Sequence, residues 1–112
     1  MSLPKVLITG ASKGLGLAMA RRLDREYCLI LHASKAENIT ELQEGNHILA
    51  ADLSNVNELK EFCKRLKEEH GDDLYGVINN AGLTFDKPLL YQPERDIDTM
   101  IMVNLKAPIM IT

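Results

Sequence analysis

The sequence predicts an α/β fold built on a doubly wound parallel sheet, with the strands lying in the order 3-2-1-4. Three observations carry that prediction. Short apolar runs alternate along the chain with amphipathic stretches, in the order βαβ(α)βαβα. The runs are continuous rather than alternating, as strands covered on both faces require. A glycine-rich turn, Thr9-Gly10-Ala11-Ser12-Lys13-Gly14-Leu15-Gly16, separates the first run from the first amphipathic stretch. Right-handed crossovers between parallel strands then place helices on both faces.

The chain has 112 residues, 46% of them hydrophobic and 26% charged, which is enough for one small domain with a core. The net charge of −3 gives no support for nucleic-acid binding or a polybasic membrane contact. No apolar run approaches the roughly 18–20 residues of a membrane-spanning helix, and the N-terminus lacks an apolar signal core. The expectation is a cytoplasmic chain with no membrane or nucleic-acid partner. Cys28 and Cys63 sit among apolar neighbours and read as buried free thiols. With no C-x-x-C pair and the three histidines scattered, no metal site is expected.

Residues 5–9 form a first strand, bounded by Pro4 and Gly10. A helix follows over about 14–25, with Leu15, Met19 and Leu23 as its inner stripe and Ala18 beside them. Residues 28–33 are the second strand. The polar stretch after it has room for a short helix around 40–44. Residues 47–51 are the third strand, ending at Asp52. Ser54 then caps a helix that runs to His70, with Leu59, Phe62, Cys63 and Leu66 on one face and Gly71 as its stop. Residues 74–79 are the fourth strand. After a loop carrying Pro88 and Pro93, residues 94–103 are helical, with Ile97, Met100, Ile101 and Leu105 facing inward.

Strand, glycine turn and helix is the order a phosphate cradle needs. Amides at a helix N-terminus lack partners and lie at the positive end of the helix dipole, and glycine lets an anion approach the backbone. Three later patterns agree with this reading: Asp52-Leu53 closes the third strand, Asn79-Asn80-Ala81-Gly82 closes the fourth, and Asn104 follows in Val103-Asn104-Leu105. The first two lie at the C-terminal end of a strand, where an open α/β sheet binds its ligand, and Asn104 comes about twenty residues after the second.

Together these patterns resemble the short-chain dehydrogenase/reductase family over essentially the whole chain. The spacing G-x-x-x-G-x-G, with N-N-A-G at the right distance, is similar to that family and differs from the general G-x-G-x-x-G fingerprint. The resemblance implies a Rossmann-type dinucleotide-binding domain, of which residues 1–112 are the N-terminal half, with the later strands absent. It implies that Gly10, Ser12, Lys13, Gly14, Leu15 and Gly16 bind the cofactor, with the backbone of residues 12–15 along the pyrophosphate. Asp52 would take the adenine amino group, the Leu53 backbone would support the ring edge, and Asn80, Ala81 and Gly82 would line the adenosine ribose. A turn or helix-cap role for Asp52 is the alternative. Thr9 is expected to link the first strand to the N-N-A-G turn.

NAD sites place an acid at the end of the second strand, about 20 residues past the glycine turn, to hold the ribose hydroxyls. That place holds His32-Ala33-Ser34-Lys35, and Glu37 comes too late. The cations are Lys13 and Lys35. With Ser34 they would suit a 2′-phosphate, so NADP(H) is expected over NAD(H); a solvated loop role for Lys35 is the alternative. Stretches 82–86 and 89–90 resemble the 3-oxoacyl-[acyl-carrier-protein] reductases, which implies a small carbonyl or hydroxyl substrate, in that subfamily carrier-linked.

The family's chemistry requires a serine and a Y-x-x-x-K. Tyr27, Tyr75 and Tyr91 are followed four residues later by Leu31, Asn79 and Arg95, so the motif is absent. Only the relay asparagine has a candidate, Asn104. The expectation is a truncated cofactor-binding fragment of an NADP-dependent oxidoreductase; a non-catalytic nucleotide-binding or interaction module is the alternative. The fourth strand would then be a bare apolar edge and residues such as Ile97, Met100, Ile101, Ile109 and Met110 would be exposed, so a homo-oligomer is expected. The 112-residue chain should show no NADPH-dependent turnover of a carbonyl substrate and should self-associate in sedimentation. Measurable turnover, or a stable dilute monomer, would contradict these expectations.

Overall fold

The computed structural model describes residues 3–82 and 92–112. Among these residues the sheet has four parallel strands: β1 (Lys5–Ile8), β2 (Cys28–Ala33), β3 (His47–Ala50) and β4 (Leu74–Ile78). Their spatial order is β3-β2-β1-β4, as the sequence predicts. The register pairs Leu7 with Ile30 and Val77, and Leu31 with Ile48. β1 is therefore central and β4 is an edge. All four strands end on one side of the sheet, because every crossover returns the chain in the same direction.

Alternate residues of the apolar runs feed two cores. Leu7, Ile30 and Leu49 pack on one face with Leu53, Leu59, Phe62, Leu66, Ala107 and Ile111. Val6, Ile8, Leu29, Leu31 and Ala33 pack on the other with Ala11, Ala20 and Ile39. Helix α2 (Val56–His70) covers the first face with Leu59, Phe62 and Leu66, the stripe its periodicity predicts. Burying each of these side chains contributes about 1.5–3 kcal/mol. Cys28 and Cys63 are free thiols, both half-buried, and burial pushes the Cys63 thiol up.

The second face is covered by α1 (Gly14–Leu23), and here the sequence expectation is corrected. The buried positions are Gly16 and Ala20, while Leu15 is 69% exposed and Ala18 is exposed. Met19 and Leu23 are half-buried at the flanks. The cause is close approach: the start of α1 lies on the backbone of the glycine turn, so small residues must face the sheet. The helix stops at Leu23, two residues early, and Arg25 takes a left-handed φ of 73°.

The helix expected over 40–44 does not form. A 3₁₀ turn at Ala36–Asn38 takes its place. Leu42 has φ 64°, which a right-handed helix excludes. Asn46 ties this segment down: its Nδ2 donates to the Leu42 carbonyl (2.8 Å) and to Asp24 (3.0 Å), and its Oδ1 accepts from Leu29 N (2.8 Å). Arg21 adds an exposed two-pronged pair to Glu41 at 3.1 and 2.6 Å.

The last described run is one long helix in three parts: α3 (Glu94–Ile101), a wider π-helical segment (Met102–Lys106) and α4 (Ala107–Ile111). It extends past the expected end at 103. Its sheet-facing residues are Met102, Val103, Ala107, Met110 and Ile111, whereas Ile101, Leu105 and Ile109 are exposed. Ile97 and Met100 are half-buried. Pro108 gives the widening a physical reason: it has no N–H for the Asn104 carbonyl four residues back, and its ring crowds that carbonyl.

The cap of α2 is also shifted by one residue from the expectation. Asn55, not Ser54, is the N-cap, its Oδ1 accepting from Asn57 N (3.0 Å) and Glu58 N (3.1 Å). Ser54 instead donates its hydroxyl to Asp52 (2.6 Å). Replacing Asn55→Ala should lower stability by about 1 kcal/mol, and Ser54→Ala by clearly less. Chemical denaturation of the two variants checks this; the reverse order would return the cap to Ser54.

Candidate functional site

The C-terminal ends of the strands open onto a cleft of about 370 Å³. It is lined by Gly10, Ser12, Lys13 and Gly14 after β1, by His32, Ala33 and Ser34 on and after β2, by Ala51, Asp52 and Leu53 after β3, and by Asn80, Ala81 and Gly82 after β4. Val103 of the π-helical segment completes it.

Thr9 assembles the cleft. Its Oγ1 accepts hydrogen bonds from Asn80 N (3.0 Å) and Ala81 N (2.9 Å), and lies 3.4 Å from the Ile78 carbonyl, to which it donates. Asn80 returns the link, Nδ2 donating to the Gly10 carbonyl at 3.2 Å. Thr9 thus makes the connection expected of it, with the side chain nearly fully buried.

Gly10 and Gly14 both have positive φ, 66° and 58°. Gly16 is required for a different reason. A Cβ there would overlap the Gly10 carbonyl oxygen and come within 2.6 Å of Asn80 Nδ2. Only hydrogen lets α1 begin directly under the turn. Around Gly14, by contrast, no described atom other than its chain neighbours and the backbone of its own helix lies within 4 Å of the place a Cβ would take, so the approach to the backbone is open. No described side chain caps the N-terminus of α1, and its first turn carries no acid. The amides there are available to an anion, and the helix dipole favours one.

The remaining expected residues are distributed as follows. Leu15 stands exposed on the first turn of α1 and Gly16 is buried beneath the turn; neither lines the cleft. Lys35 does not line it either. The Asp52 carboxylate accepts from Ser54 N (3.0 Å) and the Ser54 hydroxyl (2.6 Å), a local turn, while its residue still borders the cleft. Leu53 sends its side chain into the core. Asn104 lies on the π-helical segment, with its Oδ1 3.3 Å from where a Gly82 Cβ would sit. A widened turn of this kind is frequent at functional sites. The stretch 83–91, with Tyr91 and the reductase-like residues after Gly82, lies outside the described residues.

A second cavity adjoins the first through Ser12, Lys13 and Ser34, and is also lined by Glu37, Asn38 and Thr40. Glu37, which by its sequence position comes too late to be the ribose-binding acid, is brought by the 3₁₀ turn to the cavity that Lys13 borders. His32 is the residue sequence reasoning missed. It is 4% exposed, Nδ1 accepting from Gly10 N at 3.0 Å and Nε2 lying 2.9 Å from the Ala51 carbonyl. Burial holds its imidazole below the ordinary histidine range, against the opposing effect of the Ala51 carbonyl. Among the described residues, no group of three or more His, Cys, Asp or Glu is placed to hold a metal ion, and no helix is long and apolar enough to cross a membrane.

A glycine turn leading into a helix N-terminus, at the C-terminal edge of a parallel sheet ordered 3-2-1-4, defines a Rossmann-type nucleotide-binding unit. The family model described as short chain dehydrogenase matches residues 4–112. The chain is 35% identical to nodulation protein G of Rhizobium sp. (strain N33), over 96% of this chain and 46% of that protein. It is 32% identical to the 3-oxoacyl-[acyl-carrier-protein] reductase FabG of Aggregatibacter actinomycetemcomitans, over 89% of this chain and 45% of that one. A short-chain dehydrogenase from Sphingobium yanoikuyae, solved in complex with NADPH, superposes with a TM-score of 0.83 at 31% identity, over 97% of this chain and 45% of that one. The chain belongs to the short-chain dehydrogenase family of oxidoreductases, and it spans about half the length of the curated relatives it matches.

The assembly of the site through one hydroxyl can be tested directly. Thr9→Val leaves two partly buried amides without their acceptor and should cost about 2 kcal/mol or more. Thr9→Ser keeps the acceptor and should cost about 1 kcal/mol. Equal losses in denaturant unfolding would show that the hydroxyl is not what joins β1 to the β4 turn.

Proposed function

We propose that the protein binds NADP(H) in the cleft at the strand ends, as the cofactor-binding half of an oxidoreductase acting on a small carbonyl or hydroxyl substrate. The observation that carries the reading is the open backbone at Gly14 beside the uncapped start of α1, with Lys13 bordering both cavities. The pyrophosphate rests on the amides of the first turn of α1. Asn80, Ala81 and Gly82 hold the adenosine ribose with small side chains where the backbone comes close. Leu53 supports the adenine by its main chain, and Asp52 presents its unused carboxylate oxygen to the exocyclic amine.

The preference for a 2′-phosphate rests on charge. The end of β2 offers Ala33, Ser34 and Lys35 and no acid, and Lys13 faces the adjoining cavity. Glu37 borders the same cavity and opposes the lysine, so Lys13 has to carry the discrimination. Lys35 lines neither cavity and contributes through its field alone. The solved relative bound to NADPH supports this choice by analogy. When bound, the cofactor supplies or accepts the hydride. Asn104, on the widened turn beside Gly82, is assigned the relay asparagine that passes a proton by way of water. The matched 3-oxoacyl-[acyl-carrier-protein] reductase supports a carbonyl substrate class, carrier-linked in that enzyme.

Titration calorimetry with NADPH and NADH tests the reading. NADPH should bind more tightly, and Lys13→Ala should weaken NADPH by about tenfold while changing NADH much less. Tighter NADH binding, or an equal loss for both, would overturn the cofactor assignment.

A further inference from the structure

The ring of His32 has its hydrogen-bonding direction fixed from both sides. The Gly10 amide can only donate, so Nδ1 accepts; the Ala51 carbonyl can only accept, so Nε2 carries the proton. One neutral tautomer satisfies both. The main-chain carbonyl of His32 also accepts from Ala11 N at 2.8 Å. A single residue therefore grips two consecutive amides of the glycine turn and ties them to the end of β3. Phe62 closes the remaining side, edge-on at 5.2 Å and 78°.

We propose that His32 is a positioning residue for the nucleotide cradle: neutral, it holds the Gly10 turn in its binding shape, and protonation at Nδ1 releases the turn and weakens the nucleotide. The proposal rests on the nucleotide-binding reading above. Protonation sets an N–H against the Gly10 N–H across 3.0 Å, so one of the two must move. Gly10 is where movement matters, because its carbonyl is held by Asn80 and its neighbourhood is filled by Ala81 and by α1 at Gly16. Among the described residues, the groups facing the ring are the Gly10 amide after β1, the Ala51 carbonyl after β3 and the Phe62 ring of α2; none of these titrates. Asp52 and Lys13 border the same cleft, and the Asp52 carboxylate is engaged by Ser54. Burial lowers the pKa of His32, so the loss of affinity sets in below the ordinary histidine pKa of about 6.5. A bound pyrophosphate attracts an imidazolium and would produce the opposite trend, which makes the sign of the effect decisive.

ADP-ribose is the probe, because it lacks the 2′-phosphate, whose own proton titrates near pH 6. Its affinity is measured from pH 8 to pH 5 for the protein and two variants. His32→Asn keeps an acceptor at the Nδ1 position and cannot be protonated; His32→Leu removes the acceptor. Wild type should lose about tenfold in affinity on acidification. His32→Asn should bind within about threefold of wild type at pH 8 and stay flat, and His32→Leu should bind about tenfold more weakly at pH 8. Nitrogen NMR should show the ring in its neutral Nε2–H form at pH 7, and Gly10 amide exchange should speed up in His32→Leu but not in His32→Asn. His47 and His70 lie at the opposite end of the sheet and are present throughout, so the difference between wild type and His32→Asn isolates His32. Affinity that is flat or rises on acidification in wild type overturns the proposal, as does a His32→Leu variant that binds as tightly. Failure of wild type to bind ADP-ribose at any pH would instead defeat the nucleotide-binding reading on which it rests.

Discussion

Directly after strand β1 stands Thr9, whose single side-chain oxygen takes hydrogen bonds from two amides of the β4 turn. The rest of the site depends on that junction. β1 is the middle strand, so whatever fixes its C-terminal end fixes the place where β2 on one side and β4 on the other present their own ends. Thr9 holds the β4 turn, Asn80 of that turn holds the Gly10 carbonyl, and the bare Cα of Gly16 lets α1 start against the same carbonyl. Removing the oxygen or adding one methyl group at Gly16 acts on the same few atoms.

The electrostatic character of the cleft follows from the backbone before any side chain is counted. Among the described residues no side chain caps α1, and its first turn carries no acid, which leaves a positive end facing the cleft. A serine or aspartate at the cap would have satisfied these amides internally. Lys13 occupies that position instead and adds charge of the same sign. The opposing groups are peripheral: the Asp52 carboxylate is drawn into a turn with Ser54, and Glu37 sits in the adjoining cavity rather than over the glycine turn.

The strand order and both faces of the sheet were legible in the sequence because continuous apolar runs have one meaning in a parallel sheet, and β1 to β4 fall where those runs do. The linking role of Thr9 was legible from its place between strand and turn. Three features were not legible, each for a physical reason. Leu15 looked like core by its spacing, yet the helix is rotated so that Gly16 and Ala20 meet the turn, a contact set by tertiary approach. The helix expected over 40–44 was lost to Leu42, whose left-handed backbone is held by Asn46, a residue from beyond the segment. His32 carried no local signal at all, since its partners at Gly10 and Ala51 lie just past the ends of two other strands. Pro108, four residues after Asn104, was a signal in the sequence for the widened turn. The residues after Gly82 that suggested a carrier-linked substrate lie outside the described structure, so the likeness to reductases of that kind rests on comparison.

We propose that one end of the sheet, and not the other, is a dinucleotide cradle built on the Gly10 turn. Amide hydrogen exchange with and without NADPH tests it most directly. New protection is expected at residues 10–17, 32–35 and 80–82, and no change at the opposite end around Lys5, His47 and His70. Protection confined to that opposite end, or none at the glycine turn under saturating NADPH, would contradict it.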